Sequence, residues 1–327
     1  MKTTNLLFAL SMCFVLFSCS SKEDLQNKSS KEENKHPRRM IVIDENELEY
    51  NNEYLTLFGT IHNDGTEYVM QSLVDSGFTY FQYSDEEVEA FILRQSKRYI
   101  EELFPNNEDI QSFNLETFNT LIASGVEHSN YVSSTITDIC EILHGQSSLS
   151  DKLQDLASLR DHAFVYNEDE KDRFIACAVI STAMASYEYW STTTFTPATF
   201  FDDDVLSMID FGSLESSRVE DVAYADFVAL AEALGFTLEF IDYCPAFLNM
   251  IGGQYALALI VGCCAAYTIY QSVKSAYEIS LTTTLIHINP NLVQYDSSVY
   301  LYLNNKHINE PEIFDFEPYA NFLYILE

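Results

Sequence analysis

The sequence predicts a mainly α fold, a multi-helix globular body around one or two apolar central helices with a small β-containing segment at its C-terminal end. Three observations carry that expectation. From residue 62 to residue 235 apolar side chains recur three and four positions apart, in runs opened by Ser, Asn or Asp and closed by Gly or Pro. That is the pattern of capped amphipathic helices. Residues 174–190 hold a single charge and residues 244–273 none, as in helices buried on most of their circumference. Beyond residue 280 the chain turns to β-branched and aromatic residues bounded by Asn and Pro, which favour extended structure.

In chain order, the first element lies outside the body. Lys2 precedes an apolar run from Leu6 to Phe17. That run is shorter than the roughly 20 residues a membrane span needs and fits a signal-peptide core. It closes on Leu16-Phe17-Ser18-Cys19, which resembles a bacterial lipobox, although Phe17 is bulkier than that pattern usually has. The resemblance implies removal of residues 1–18 and acyl groups on Cys19, which anchor a chain without a spanning helix. An ordinary secretory signal is the alternative. The acidic stretch Ser20 to Asp24 resembles the export signal of Bacteroidetes surface lipoproteins. Residues 19–40 are too polar to bury a core and read as a disordered tether. Residues 41–280 then form the helical domain, and 281–327 a mixed or β segment packed on it.

Within the body, Asn63-Asp64-Gly65 reads as a turn, with Asp64 or Thr66 capping a helix through Tyr68, Val69, Leu73 and Val74. Ser84 to Glu87 forms a capping box for a helix through Val88, Ile92, Tyr99 and Leu103, stopped by Pro105. Asn114 opens a helix closed by Gly125, Ile136 to Leu143 mark another closed by Gly145, and Ser150-Asp151 caps a third. After a charged start at 167–173, Phe174 to Trp190 is the central helix, with Ala176, Ala178, Ala183 and Ala185 admitting close neighbours. Val219 to Leu234 is amphipathic, with Gly235 as its left-handed cap. Cys244 to Val273 is long enough to span a bilayer. Its Asn249, Gln254 and many small residues make a buried core helix the first reading and a membrane-inserting segment the second. Thr282 to Ile288 and Val299 to Leu303 read as extended, with Asn304-Asn305 turning a hairpin.

Charge excludes one class of partner. From residue 41 onward there are 10 basic against 46 acidic side chains, a formal charge of −36. Such a body is repelled by phosphate backbones and anionic lipid heads, so nucleic acid is not its ligand. The cysteines after Cys19 are Cys140, Cys177, Cys244, Cys263 and Cys264. Their odd number and irregular spacing fit neither a disulfide framework nor a zinc site. They sit mostly in apolar stretches, where the thiol packs as a small hydrophobe.

Few residues suggest chemistry. The chain has no G-x-S-x-G, H-E-x-x-H, P-loop, dinucleotide-binding or C-x-x-C pattern. His62 with Asp64 nearby is a candidate general base, but a structural histidine at the start of a helix is the preferred reading. Asp202, Asp203 and Asp204 offer oxygen ligands for Ca²⁺ without the glycine and distal glutamate of an EF-hand. They fit better as acidic residues in the first turn of a helix. Asn167, Asp169 and Asp172 meet the same objection. Asp161-His162 are adjacent and read as surface, and the alanine-rich neighbours of Cys177 place it in the core.

Three stretches form a pattern: Gly59-Thr-Ile-His62-Asn63 ahead of a helix, Tyr187-Glu-Tyr-Trp190 closing an apolar helix, and a late Gly- and Ala-containing segment from Gly252 to Ala266. Together they resemble uncharacterised Bacteroidetes surface lipoproteins. The last segment departs from that family in having far fewer glycines. The resemblance implies an envelope address and a helical architecture, and it brings no activity or cofactor. The expectation is a lipid-anchored, surface-exposed, non-enzymatic binding or interaction module. It would meet the membrane through Cys19 and an unknown protein or small-molecule partner through its body. The alternatives are a membrane-active or bacteriocin-like protein using 244–273, and a hydrolase with a site near His62.

Overall fold

The computed structural model describes residues 43, 48, 52–76, 84–123, 125–165, 169–192, 219–243 and 253–287. Among these, every regular element is a helix: α1 (Asn52–Asp75), α2 (Asp85–Leu103), α3 (Glu108–Ser112), α4 (Leu115–Ile122), α5 (Asn130–His144), α6 (Leu149–Phe164), α7 (Glu170–Thr192), α8 (Val219–Tyr243) and α9 (Gly253–His287). The mainly α expectation therefore holds. Cys19, Asp202, Asp203, Asp204, Cys244 and residues 288–327 lie outside the described residues.

Local chemistry sets several helix ends. The Ser84 hydroxyl accepts the Glu87 amide at 3.3 Å while the Glu87 carboxylate accepts the Ser84 amide at 2.9 Å, the reciprocal capping box the sequence spells out. Asn114 caps α4 through the Thr117 amide. Gly125, at φ +99°, supplies the left-handed residue beyond that helix. For α6 the cap is Ser148, not Ser150. Ser148 has extended backbone and accepts the Asp151 amide at 3.2 Å, while its hydroxyl donates to the Asp151 carboxylate at 2.7 Å.

Helices α1, α7, α8 and α9 form a four-membered ring of neighbours, α1 on α7, α7 on α8, α8 on α9 and α9 on α1. Helix α2 covers α9 and α1, and α5 and α6 cover α7. Residue pairs give the directions. Phe58 stacks edge-on to Phe174, and Asn63 reaches Ala185, so α1 and α7 run parallel. Tyr54 donates to the Leu257 carbonyl at 2.8 Å while Gly65 lies against Ile269, so α9 runs parallel to α1 as well. Thr237 touches Cys264 and Glu232 touches Tyr267, so α8 runs antiparallel to α9.

Both apolar stretches are central. In α7 every residue from Phe174 to Ala183 is buried. In α9 the stretch Ala256–Glu278 is long and apolar enough to cross a membrane, with a mean hydropathy of 1.6, yet 89% of its most apolar window is buried inside the protein. Its neighbours α1, α2 and α8 supply the cover.

Three further expectations are corrected. Asn63-Asp64-Gly65 is not a turn, because α1 runs through it without interruption. Gly65 serves close approach instead: a Cβ there would lie 2.1 Å from Ile269 Cδ1 and 2.8 Å from Tyr99 Cε1. Gly235 does not end α8, which continues to Tyr243; a Cβ at Gly235 would meet Val126 Cγ1 at 2.8 Å. Thr282 to His287 is the last part of α9 rather than extended chain. Extending an established helix adds a hydrogen bond for each residue fixed, which outweighs the modest β preference of Thr and Ile.

Substituting Gly65→Ala tests whether glycine is there for contact or for flexibility. Alanine raises helix propensity by about 1 kcal/mol, but overpacking against Ile269 and Tyr99 costs more. A net loss of about 1–3 kcal/mol in urea unfolding is expected. A gain in stability would mean that α1 and α9 are not in contact at this level.

Candidate functional site

The polar residues that converge do so at the centre of the four-helix ring. Helix α1 contributes His62 and Asn63, α7 contributes Ser186 and Trp190 one turn apart, and α8 contributes Asp226. Asp226 lies on the apolar stripe of α8 among Val222, Ala223, Phe227 and Leu230, and is fully buried. Its Oδ2 accepts the Ser186 hydroxyl at 2.5 Å and the Trp190 indole N–H at 3.1 Å. His62 Nε2 lies 3.2 Å from the same oxygen. That contact is an ion pair by distance, with the ring N–H too far off line for a directed hydrogen bond.

Hydrogen-bond direction identifies the proton on the other ring nitrogen. Asn63 donates its amide to the Ala185 carbonyl at 2.9 Å, so its own oxygen faces His62 Nδ1 at 3.0 Å. Nδ1 must therefore carry a hydrogen. With a carboxylate oxygen beside Nε2, the ring favours the doubly protonated imidazolium. Burial by itself would lower the His62 pKa, but the charge of Asp226, assisted by the Asn63 contact, holds it above the ordinary 6.5.

This arrangement differs from a hydrolytic triad. The Ser186 hydrogen goes to Asp226 and not to the imidazole, so the serine is not activated by a base. His62 is 1% exposed and Asp226 0%, so both are shut off from solvent. Asp64, the expected partner of His62, is exposed, and its charge acts on Tyr99. His62 is buried and tied to a carboxylate of α8 from mid-helix rather than to a loop.

A second buried polar cluster joins α6 to its neighbours. The Lys152 ammonium donates to the Leu143 carbonyl and, at 3.0 Å, to the Tyr187 hydroxyl. It also lies 3.6 Å from the Glu220 carboxylate and 5.2 Å from the Tyr187 ring centre. Lys152 is thus a strut between α5, α6, α7 and α8. Sequence reading missed it, along with Asp226 and Ser186. The signal for Asp226 was a lone acid on the apolar stripe of an amphipathic helix.

The remaining candidates sort by burial. Asp161 and His162 are exposed, as expected of a surface pair. Asp169 caps α7, its carboxylate accepting the Asp172 amide at 3.0 Å. Cys140, Cys177, Cys263 and Cys264 are free thiols. Burial raises the Cys177 thiol to about 11 and that of Cys264 to about 12, opposite to what a nucleophile needs. Among the described residues, no group of three His, Cys, Asp or Glu side chains is placed to hold a metal ion.

Gly59, His62 and Asn63 of the first quoted stretch meet the end of α7, where the second lies. A Cβ on Gly59 would come 2.7 Å from Ala185 Cβ, and Trp190 shares Asp226 with His62. The two stretches are one contact in space. Comparison with protein-family models, with curated proteins and with solved structures finds no match for this chain.

Two outcomes are expected. Because the folded pKa of His62 is raised, its stabilising contribution is present in full below pH 6.5 and is lost as pH rises through the folded value. In Asp226→Asn only the Asn63 contact still opposes burial, the largest influence, so that pKa falls, the slope reverses and stability is lost as pH falls below about 6.5. The variant is also weaker by about 3 kcal/mol at pH 6, since one partner of a buried pair is gone. Urea unfolding from pH 5 to 9 reads both effects, and parallel pH profiles for the two proteins would refute the ion pair. Separately, mass mapping after brief alkylation of the folded protein should find Cys140 modified before Cys177, Cys263 and Cys264. Early labelling of Cys177 would contradict its burial.

Proposed function

We propose that this chain is a lipid-anchored protein of the bacterial envelope. In this reading acyl groups on Cys19 hold it at the outer membrane, residues 20–40 carry the body away from the lipid, and the helical body is a surface-exposed, non-enzymatic binding module. Residues 288–327 supply a small β-containing cap. The observation that supports a binding role over catalysis is the sealing of His62, whose carboxylate and hydroxyl neighbours are buried with it at 1% exposure or less. The groups best suited to acid–base work thus serve to join helices. Outside, the −36 charge of residues 41–327 favours a cationic or neutral partner surface and opposes nucleic acid.

A second reading has one specific observation in its favour. The length and composition of Ala256–Glu278 suit a membrane span, so a membrane-active protein would use α9 by releasing it. Release would uncover the apolar faces of α1, α2 and α8 together, which is a large cost in water.

The experiment compares the whole chain with its Cys19→Ala variant in a Gram-negative host, followed by flotation with liposomes. The wild type should fractionate with the outer membrane and be accessible to protease on whole cells. The variant should be a compact soluble monomer that stays at the bottom of the gradient. A floating variant that also makes vesicles leak would overturn the binding-module reading and establish α9 as the working part.

A further inference from the structure

Buried hydroxyls in this protein have a usual outlet. Ser96, Thr135, Ser181 and Thr268 each donate to the carbonyl four residues back in their own helix, at 2.8–3.0 Å. This is the default for Ser and Thr inside helices. Thr66, Thr182 and Ser272 are as deeply buried, at 0–1% exposure, yet their hydroxyl oxygens have no partner among the described residues. Asp226 Oδ1 shares that condition, and so, for a directed bond, does His62 Nε2, although it lies 3.2 Å from Asp226 Oδ2.

Helix register brings four of these five within about two turns of one another along the ring. Thr66 follows His62 by one turn on the same face of α1, and that face meets Asp226. Helices α8 and α9 pass Thr237 by Cys264, Glu232 by Tyr267 and Val222 by Ala276, which sets Asp226 across from Ser272. Gly65 lies against Ile269, so Thr66 is within a turn of Ser272. Thr182 lies on α7, one turn before Ser186. Three helices thus carry buried polar atoms that lack a hydrogen-bond partner among the described residues at neighbouring levels of the ring.

From this geometry we infer an internal hydration site at the centre of the ring, bounded by Asp226 Oδ1, His62 Nε2, Thr66 Oγ1 and Ser272 Oγ. Its ligand is water, about one or two molecules, the number such a set of donors and acceptors satisfies. Water donates to the free carboxylate oxygen and accepts the off-line ring N–H, while the two hydroxyls complete its bonds. Left dry, each of these groups would bear the full penalty of a buried, unmade hydrogen bond. A metal ion is the wrong guest, because a protonated imidazole shares the space with a single carboxylate. The site also explains why the His62–Asp226 contact is bent: the second carboxylate oxygen and the ring N–H meet through water.

Water oxygen-17 relaxation dispersion counts long-lived internal waters and tests this on the full chain. Thr66→Val removes the hydroxyl at constant shape, and Thr66→Ser retains it. The wild type and Thr66→Ser should hold at least one long-lived water that Thr66→Val lacks, and Thr66→Val should unfold at a lower temperature than the wild type. Equal water counts in wild type and Thr66→Val would overturn the inference. So would a higher midpoint for Thr66→Val, the signature of relieving a dry hydroxyl. Should the valine variant fail to fold, the wild-type count alone decides, and a count of zero overturns the site.

Discussion

The close approach of α1, α7, α8 and α9 around His62 and Asp226 is the constraint on which the rest of the structure depends. A carboxylate and an imidazole are costly to bury, and their mutual attraction repays that cost only with good geometry and further hydrogen bonds. Ser186, Trp190 and Asn63 supply those bonds from two helices. For all five side chains to reach one another the backbones must come close, and this is where Gly59, Gly65 and the alanines of α7 lie. The small residues and the polar cluster are one device. The first permit the distance, and the second penalises any other arrangement of the four helices.

Around that centre the energetics are those of an ordinary core. Helices α7 and α9 lose most of their surface to neighbours, and their burial is the main source of stability. Because α7 and α9 present little polar surface, the shorter helices must enclose them. Helices α2, α3 and α4 do so for α9, while α5 and α6 do so for α7. Lys152 ties that second cover down from within, with its stem in the core and its ammonium among Leu143, Tyr187 and Glu220. Apolar length alone therefore does not distinguish a membrane span from the middle layer of a helical body.

Inside and outside are strongly divided in chemistry. Among the described residues the interior holds the His62–Asp226 pair, the Lys152 ammonium with its partners, and a few thiols whose pKa values burial raises away from reactivity. The exterior bears a large excess of carboxylates. The proposed binding role would draw on that exterior, with the buried groups holding the helices together. The proposed tether and acyl anchor fit such a role, since they present the body to the medium.

What the sequence determined by itself was local. The helical class, the capping box at Ser84, the Asn114 cap, the stop after Leu103 and the apolar character of 174–190 follow from side-chain spacing and cap chemistry over a few residues, whereas burial of the late apolar helix was decided by its neighbours. Tertiary structure decided what depends on distant partners. Gly65 and Gly235 carry the composition of turns and caps, and only the neighbours they touch reveal that they are contact points within helices. Asn63 and Asp64 likewise look like turn residues, but Asn63 is held to α7 and α1 runs straight through both. His62 was legible as unusual, yet its partner lies more than 160 positions away on α8, beyond any local pattern. Propensity acts over a turn or two, whereas a buried polar group takes whichever complementary group the fold places beside it.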